Sequence, residues 1–189
     1  PDLAEQELPC KGITNYTTGG LFETVLDYIK NNGVVEESVL PFVGPTSSCQ
    51  IPANAKKHFI DSWDALKVPW VPIPPSEKRE LIKQAIIEKG PLTAYMYFGG
   101  KFDENQIYKC ISPEISDTNF INHSVVFVGF KDTGNPATSY YIAKNSLGNS
   151  WNGGGYFKIG WDKKYTGSEG VYDQCESSTA PPYFVKVPG

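Results

Sequence analysis

Two side chains, His123 and Asn145, form a pair that could carry out proton transfer. His123 begins the apolar, β-branched run HSVVFVGF, and Asn145 ends a second run, SYYIAKN. The chain has only two histidines, and histidine is the side chain that most often moves protons near neutral pH. An amide oxygen that accepts a hydrogen bond from one ring nitrogen fixes the tautomer and orientation of the imidazole. Asparagine instead of aspartate suits an imidazolium whose charge a neighbouring thiolate balances.

Each of these residues also has a purely structural interpretation. A histidine at the end of a strand is commonly satisfied by a neighbouring polar group, and asparagine commonly marks the end of a strand. The catalytic hypothesis therefore depends on the elements that carry the two residues, because the fold must bring two strand ends together.

The first part of the chain favours helices. Residues 19–33 predict an amphipathic helix that ends before Gly33. Its apolar face consists of Leu21, Phe22, Val25, Leu26 and Ile29. Residues 34–75 are rich in proline and are predicted to be irregular. A second helix is predicted over 76–89, with Ser76 as its N-cap and Gly90-Pro91 as its end.

After residue 91 the pattern changes to short aromatic and β-branched segments separated by turn residues. The predicted strands are LTAYMYF (92–98), HSVVFVGF (123–130), SYYIAKN (139–145), GYFKIGW (155–161) and YFVKV (183–187). Because the helices come first and the strands follow, the sequence predicts an α+β fold in two segregated parts.

Composition and charge exclude several functional classes. The net charge of the 189 residues is −4, and no basic patch is visible, so we expect no nucleic-acid partner. No run approaches the ~18 apolar residues of a membrane span. The first residues lack the apolar core of a signal peptide, as a processed mature chain also would. The stretch GNSWNGGG lacks the lysine and hydroxyl of a phosphate-binding loop.

The four cysteines, at positions 10, 49, 110 and 175, form no CxxC pair. We therefore expect no metal site and no cofactor. Widely spaced cysteines in even number suit two disulfides in an oxidising compartment, although four reduced thiols remain an alternative. Spacing alone does not choose among the three pairings. Two Asn-x-Ser/Thr triplets, at Asn15 and Asn122, support secretion only weakly because such triplets arise by chance.

Several segments together resemble the papain family of cysteine peptidases. The resemblance rests on LAEQEL with Cys10, Gly19-Gly20 before a helix, Gly90-Pro91 before a strand, Asn122-His123-Ser124, and Lys144-Asn145-Ser146 followed by Trp151 and GGYF. These segments occur in the family's order and extend over nearly the whole chain. The resemblance implies a papain-like fold of two halves: residues 1–66 as the remainder of the helical half, and 67–189 as an antiparallel, barrel-like β half.

The resemblance also implies roles for individual residues. His123 is the catalytic acid and base, and Asn145 orients it. Gly19 and Gly20 offer backbone to a peptide or protein substrate, while Asn122 and Trp151 line the substrate cleft. The implied disulfides are Cys10 with Cys49 and Cys110 with Cys175, and the implied location is secreted, lysosomal or vacuolar. A glycan on Asn122 would block the cleft, so that triplet is interpreted as chance.

The chain departs from the family pattern at the nucleophile. Neither the Cys-Gly-Ser-Cys-Trp-like motif nor the oxyanion-hole glutamine before it is present. Ser124 or Ser146 is a poor substitute because no elbow motif presents either hydroxyl. Leu147 replaces the family tryptophan that shields the histidine–asparagine bond from water. Thr17 replaces a family cysteine whose partner lies in the same missing segment.

The missing helix leads to an expectation about partners. In the family that helix fills the centre of the helical half, so the apolar face of 19–33 needs another cover. We expect a companion N-terminal chain or a binding partner there. The sequence thus predicts a cysteine peptidase whose nucleophile lies on a separate or missing segment. An inactive papain-like protein with a binding, structural or storage role is the alternative, and an unrelated α+β binding domain is a third.

Overall fold

A computed structural model describes residues 1–45, 49–66, 75–96, 98, 100–109, 122–161 and 183–187. The chain divides into two units, which are described separately below. The first unit consists of Pro1–Trp63 with Val185–Gly189, and the second consists of Asp64–Phe184. The sequence predicts a boundary after residue 66.

In the part of the chain that the structure describes there are three helices: α1 (Glu7–Cys10), α2 (Phe22–Asn32) and α3 (Pro75–Lys89). Helix α2 confirms the predicted amphipathic helix, but it begins at Phe22 and not at residue 19. Leu21 before it is extended, with φ −94° and ψ 143°. Gly33 ends the helix as predicted: it has a φ of +66°, and its N–H donates to the Ile29 carbonyl.

Helix α3 corrects the predicted N-cap. The helix begins at Pro75, so Ser76 lies inside the first turn instead of capping it. Proline is favourable at the first helical position, because its φ is already helical and its missing N–H would have no partner there.

The described residues form eight strands, and these include all five that the sequence predicts. They are β1 (Ser62–Ala65), β2 (Leu92–Met96), β3 (Lys101–Phe102), β4 (Ile107–Lys109), β5 (His123–Lys131), β6 (Tyr140–Lys144), β7 (Tyr156–Gly160) and β8 (Tyr183–Lys186). The prediction of irregular structure over 34–75 is wrong at β1, which spans the division between the units. Strands β3 and β4 and helix α1 were not predicted, because each is too short to show a period.

The sheet of the second unit has the strand order β8-β2-β5-β6-β7-β4-β3. Most neighbours are antiparallel, as the barrel-like half implies, but β4 and β7 run parallel. This pair is a local departure within the antiparallel, barrel-like half. The register of β5 and β6 shifts between Phe127 and Gly129, which marks a β-bulge.

The core of the second unit lies between this sheet and α3. Thirteen buried apolar residues of the described segments form one cluster. Helix α3 contributes Ile82 and Ala85, and the strands contribute most of the rest. The rings of Phe127 and Tyr141 stack with their centroids 4.8 Å apart, and Trp161 lies 5.3 Å from Tyr141. This packing makes the sheet a firm support for the side chains at its edge.

The first unit has a much smaller apolar cluster and a buried carboxylate. The Glu7 carboxylate accepts hydrogen bonds from the Val35 N–H (2.9 Å), the Tyr28 hydroxyl (2.8 Å) and the Lys57 ammonium (3.0 Å). Burial alone would raise the pKa of Glu7, but these donors outweigh it and hold that pKa below its usual value. Burial and the Glu7 charge raise the pKa of Tyr28 to about 12.

A disulfide joins Cys10 to Cys49, with a Cα–Cα distance of 5.7 Å. This is one of the two pairs that the resemblance implies. The other predicted pair, Cys110 with Cys175, lies outside the described residues. None of the helices within the described ranges has the length and apolarity needed to cross a membrane.

Candidate active site

His123 and Asn145 meet at one edge of the sheet because of the strand register. His123 is the first residue of β5, and Asn145 directly follows β6. Since Val126 pairs with Lys144, continuing the antiparallel ladder places Asn145 opposite Val125. Side chains alternate along a strand, so Asn145 and His123 fall on the same face as diagonal neighbours.

The two side chains make the hydrogen bond that the pair requires. The distance between His123 Nε2 and Asn145 Oδ1 is 2.9 Å. The Ser146 N–H donates to the same oxygen at 2.8 Å, which identifies that atom as the carbonyl oxygen. A carbonyl oxygen only accepts, so Nε2 carries the proton in the bond. The other ring nitrogen, Nδ1, is then the one left to exchange a proton with a substrate or a thiol.

Asn145 is held rigidly by its own loop. Its backbone N–H donates to the Gly155 carbonyl at 2.8 Å, and only 3% of the residue is exposed. Gly155 has a φ of +82°, and a Cβ there would meet the Gly148 carbonyl oxygen at 3.0 Å. This position therefore requires glycine for structural reasons. Asn145 Nδ2 is buried and has no hydrogen-bond partner among the described residues.

Asn122 interacts with the backbone of Phe98. Its Oδ1 accepts from the Phe98 N–H at 2.6 Å, and its Nδ2 donates to the Phe98 carbonyl at 3.3 Å. The Phe98 ring lies with its centroid 4.9 Å from that of the His123 imidazole. No sequence pattern selects Phe98, because its contact with His123 arises only when β2 pairs with β5.

Trp151 lies in the loop that follows Asn145. Its half-buried ring contacts Phe157, with centroids 5.4 Å apart, and Phe102, with centroids 6.4 Å apart. Leu147, in the same loop, is 52% exposed. A substrate-lining role for Trp151 stays a prediction.

Gly19 and Gly20 belong to the first unit and form one side of a tight turn. Gly19 and Asn15 exchange two backbone hydrogen bonds of 2.8 Å each. A Cβ on Gly20 would meet Thr14 Cγ2 at 2.6 Å, and Gly19 has a φ of +72°. The turn thus accounts for both glycines, and their predicted contact with substrate stays a prediction.

Metal chemistry finds no support in the part of the chain that the structure describes. No three His, Cys, Asp or Glu side chains there are arranged to hold a metal ion. The second histidine, His58, lies in the first unit and bonds through Nε2 to the Glu36 carboxylate at 2.9 Å.

Comparison with solved structures supports a papain-like fold. The crystal structure of the Carica candamarcensis cysteine protease CMS1MS2 in complex with E-64 matches with a TM-score of 0.65 at 24% identity. The match covers 98% of this chain and 78% of that one. Digestive procathepsin L 3 from Tenebrio molitor larval midgut gives a TM-score of 0.64 at 22% identity, over 98% of this chain and 56% of that one. Because both structures are less than 25% identical to this chain in sequence, these matches show the fold alone.

Sequence comparison identifies the family. RD21A, a cysteine proteinase of Arabidopsis thaliana, is 30% identical over 190 residues, which cover 97% of this chain and 37% of that protein. Procathepsin L of Felis catus is 30% identical over 172 residues, covering 85% of this chain and 48% of its own length. This chain thus spans less than half of either relative. A profile described as "Papain family cysteine protease" matches residues 1–182. The chain therefore belongs to the papain family of cysteine proteases.

Proposed function

We propose that this chain is the larger part of a cysteine peptidase whose nucleophilic thiolate lies on another segment of the protein. The observation that carries the proposal is the 2.9 Å bond between His123 Nε2 and Asn145 Oδ1, which leaves Nδ1 available. Of the cysteines that the structure describes, Cys10 and Cys49 are joined in a disulfide. The resemblance pairs the other two, so no cysteine of this chain is assigned as nucleophile.

In this mechanism the thiolate attacks the carbonyl carbon of the scissile peptide bond and forms a tetrahedral intermediate. His123 donates its Nδ1 proton to the departing amine, while its Nε2–H remains bonded to Asn145 Oδ1. A water molecule then loses a proton to Nδ1 and hydrolyses the acyl-enzyme, which regenerates the thiolate. Gly19 and Gly20 bind the extended substrate by backbone pairing, and Trp151 lines the side of the leaving group.

A companion segment is the partner that the first unit requires. On α2 the buried apolar side chain is Leu26. Phe22, Val25 and Ile29 are half-buried, and the preceding Leu21 is 63% exposed. Each large apolar side chain left in water forgoes roughly 1.5–3 kcal/mol of burial free energy. We propose that an N-terminal companion chain covers this face. Native mass spectrometry tests it: a folded monomer of this chain without a bound segment contradicts the proposal.

The Cys10–Cys49 disulfide supports a location in an oxidising compartment. We propose that the protein is secreted or resides in a lysosome or vacuole. Fractionation of the cells that produce it, followed by detection of the non-reduced chain, tests this location.

The reaction is tested on the full-length protein encoded by the gene. An epoxide-type thiol inhibitor should form one covalent adduct, and peptide mapping should locate it on a cysteine outside this chain. A cysteine-to-serine change at the mapped position should abolish both the adduct and peptide hydrolysis. An adduct on Cys110 or Cys175 contradicts the assignment of the nucleophile.

A second candidate, an inactive papain-like protein that binds peptides, is favoured by one observation. Leu147 stands in place of the shielding tryptophan and is half exposed. Serine or glycine at the family's cysteine position in the upstream gene sequence supports this candidate. Peptide binding measured by calorimetry, without adduct formation or hydrolysis, distinguishes it from the peptidase.

A further inference from the structure

The ring of Phe98 lies against the His123 imidazole, with the two ring centroids 4.9 Å apart. We propose that Phe98, clamped by Asn122, is a positioning residue that fixes the His123 ring and shields its bond with Asn145. Phe98 thereby shields the histidine–asparagine bond from water, as the family's tryptophan does at the position that Leu147 occupies here. This inference rests on the proposed role of the His123–Asn145 pair and concerns how that pair is kept in place.

The Phe98 ring contacts the His123 ring directly, and other aromatic rings pack against Phe98. The centroids of Phe98 and His123 are 4.9 Å apart, with the ring planes tilted by 47°. Tyr108 stacks on Phe98 at 5.0 Å with the planes 4° apart, and Phe157 meets it edge-on at 6.1 Å. Because its own neighbours immobilise Phe98, it offers the imidazole a fixed wall instead of a mobile side chain.

The backbone of Phe98 is tied to the strand that carries His123. Asn122, immediately before His123, bonds both the N–H and the carbonyl of Phe98, and its own N–H donates to the Met96 carbonyl at 3.3 Å. A carboxylate at position 122 can accept from the N–H but has no hydrogen to donate to the carbonyl. This two-point bond gives a physical reason for asparagine where the family has an aspartate-like residue.

The exposure of the loop side chains indicates that Leu147 is a poor shield. Leu147 is 52% exposed, whereas Asn145 is only 3% exposed. The side chain that follows the Lys-Asn-Ser motif therefore has half of its surface in solvent, while the amide it would cover is almost fully buried. The aromatic contact that the structure places on the imidazole comes from Phe98.

Nitrogen-15 NMR of the imidazoles in the full-length protein tests the inference without requiring activity. His58, bonded to Glu36 in the first unit, is the internal reference. We expect Phe98→Leu, which keeps an apolar side chain but removes the ring, to accelerate solvent exchange of the His123 Nε2–H by roughly twofold to tenfold, the factor that an aromatic pair contributes. Exchange at His58 should not change.

Two further variants separate positioning from general loosening of the core. Phe102→Leu removes a ring from the same aromatic cluster, since Phe102 contacts Tyr108 and Phe157; it should change His123 exchange by less than about twofold. Adding Leu147→Trp to Phe98→Leu should restore slow exchange. Unchanged exchange in Phe98→Leu, or an equal effect of Phe102→Leu, overturns the inference. A protein that never reacts with a thiol inhibitor yet shows the expected exchange pattern would contradict only the proposed reaction.

Discussion

The two units of this chain are stabilised in different ways. The second unit buries thirteen of its described apolar residues in one cluster, and this cluster includes aromatic rings in direct contact. Among the described residues of the first unit, the buried apolar cluster consists of Ala4, Val35 and Leu40. In place of a large core, the first unit has a disulfide and two fully buried polar residues, Gln6 and Glu7.

Gln6 shows how polar contacts order the first unit. Its Oε1 accepts from the Val43 N–H at 2.9 Å, and its Nε2 donates to the Gly44 carbonyl at 3.0 Å and to the Tyr16 hydroxyl. The loop that it holds nevertheless exposes 56% of Phe42 and 69% of Val43. The second unit therefore contains its own apolar core, whereas the first leaves large apolar side chains exposed.

The largest expected effect comes from the core of the second unit. Phe127→Ala removes a fully buried ring and should lower the free energy of unfolding by about 3–5 kcal/mol. Phe42→Ala, at an exposed site of the first unit, is the matched control and should stay within about 0.5 kcal/mol. Urea denaturation followed by tryptophan fluorescence measures both. Equal losses would contradict the contrast between the units.

The disulfide should be the strongest single support of the first unit. Replacing Cys10 and Cys49 together with serine removes a crosslink across a sequence separation of 39 residues. We expect a loss of about 2–5 kcal/mol in the free energy of unfolding. Limited proteolysis should then cut the first unit before the second. A variant that unfolds at the wild-type urea concentration contradicts this expectation.

The Glu7 carboxylate should make the stability of the first unit dependent on pH. Because the pKa of Glu7 is lowered in the folded chain, its contribution is present above the unfolded value of about 4.3. It is lost as the pH falls through the lower folded value. Glu7→Gln keeps the shape of the side chain but offers the three donors only one acceptor oxygen. It should therefore lower the free energy of unfolding by roughly 1–3 kcal/mol at pH 7.

Unfolding of the wild type and Glu7→Gln from pH 7 down to pH 3 measures this dependence. The difference between the two proteins should shrink as the pH falls, since protonation removes the charge that the substitution removes. Lys57→Met, which deletes one of the three donors, should show a smaller difference at pH 7. A constant difference across the range would contradict the assignment to Glu7.

The smallest effect on stability is expected at Leu21, which directly precedes α2. Leu21→Ala should change the stability of the uncovered chain by no more than about 0.5 kcal/mol, because the side chain is 63% exposed. Leu26→Ala on the same helix removes a buried side chain and should cost about 2–5 kcal/mol. In the presence of the companion segment, Leu21→Ala should weaken its binding, which calorimetry measures. Unchanged binding would show that Leu21 does not contact the companion segment.

The sequence predicts the helices and strands whose apolar residues recur with a clear period. It also predicts the His123–Asn145 pair, which two of these strands carry. His123 and Asn145 could be selected because each lies at the end of a long β-branched run, and the five predicted strands are present. Strands β3 and β4 were missed because two or three residues show no alternation. The parallel pairing of β4 with β7 joins segments about fifty residues apart and follows from no local pattern.

Other parts of the site depend on tertiary contacts that a sequence does not display. The contact of Phe98 with His123 requires the antiparallel register in which Met96 pairs with His123. The sequence singled out Asn122 as a departure from the family pattern, but its two bonds to Phe98 needed coordinates. Similarly, the sequence places Gly155 at the start of a predicted strand, and only the structure shows that a Cβ there would meet the Gly148 carbonyl.

The rate of thiol modification in two histidine variants tests the central claim most directly. In the full-length protein, His123→Gln should lower the second-order rate of reaction with an epoxide-type thiol inhibitor by at least about a hundredfold, the contribution expected of a proton-transfer group. His58→Gln, which removes the histidine bonded to Glu36 in the first unit, should react at close to the wild-type rate. Equal rates in the two variants would contradict the assignment of His123 as the partner of the thiolate.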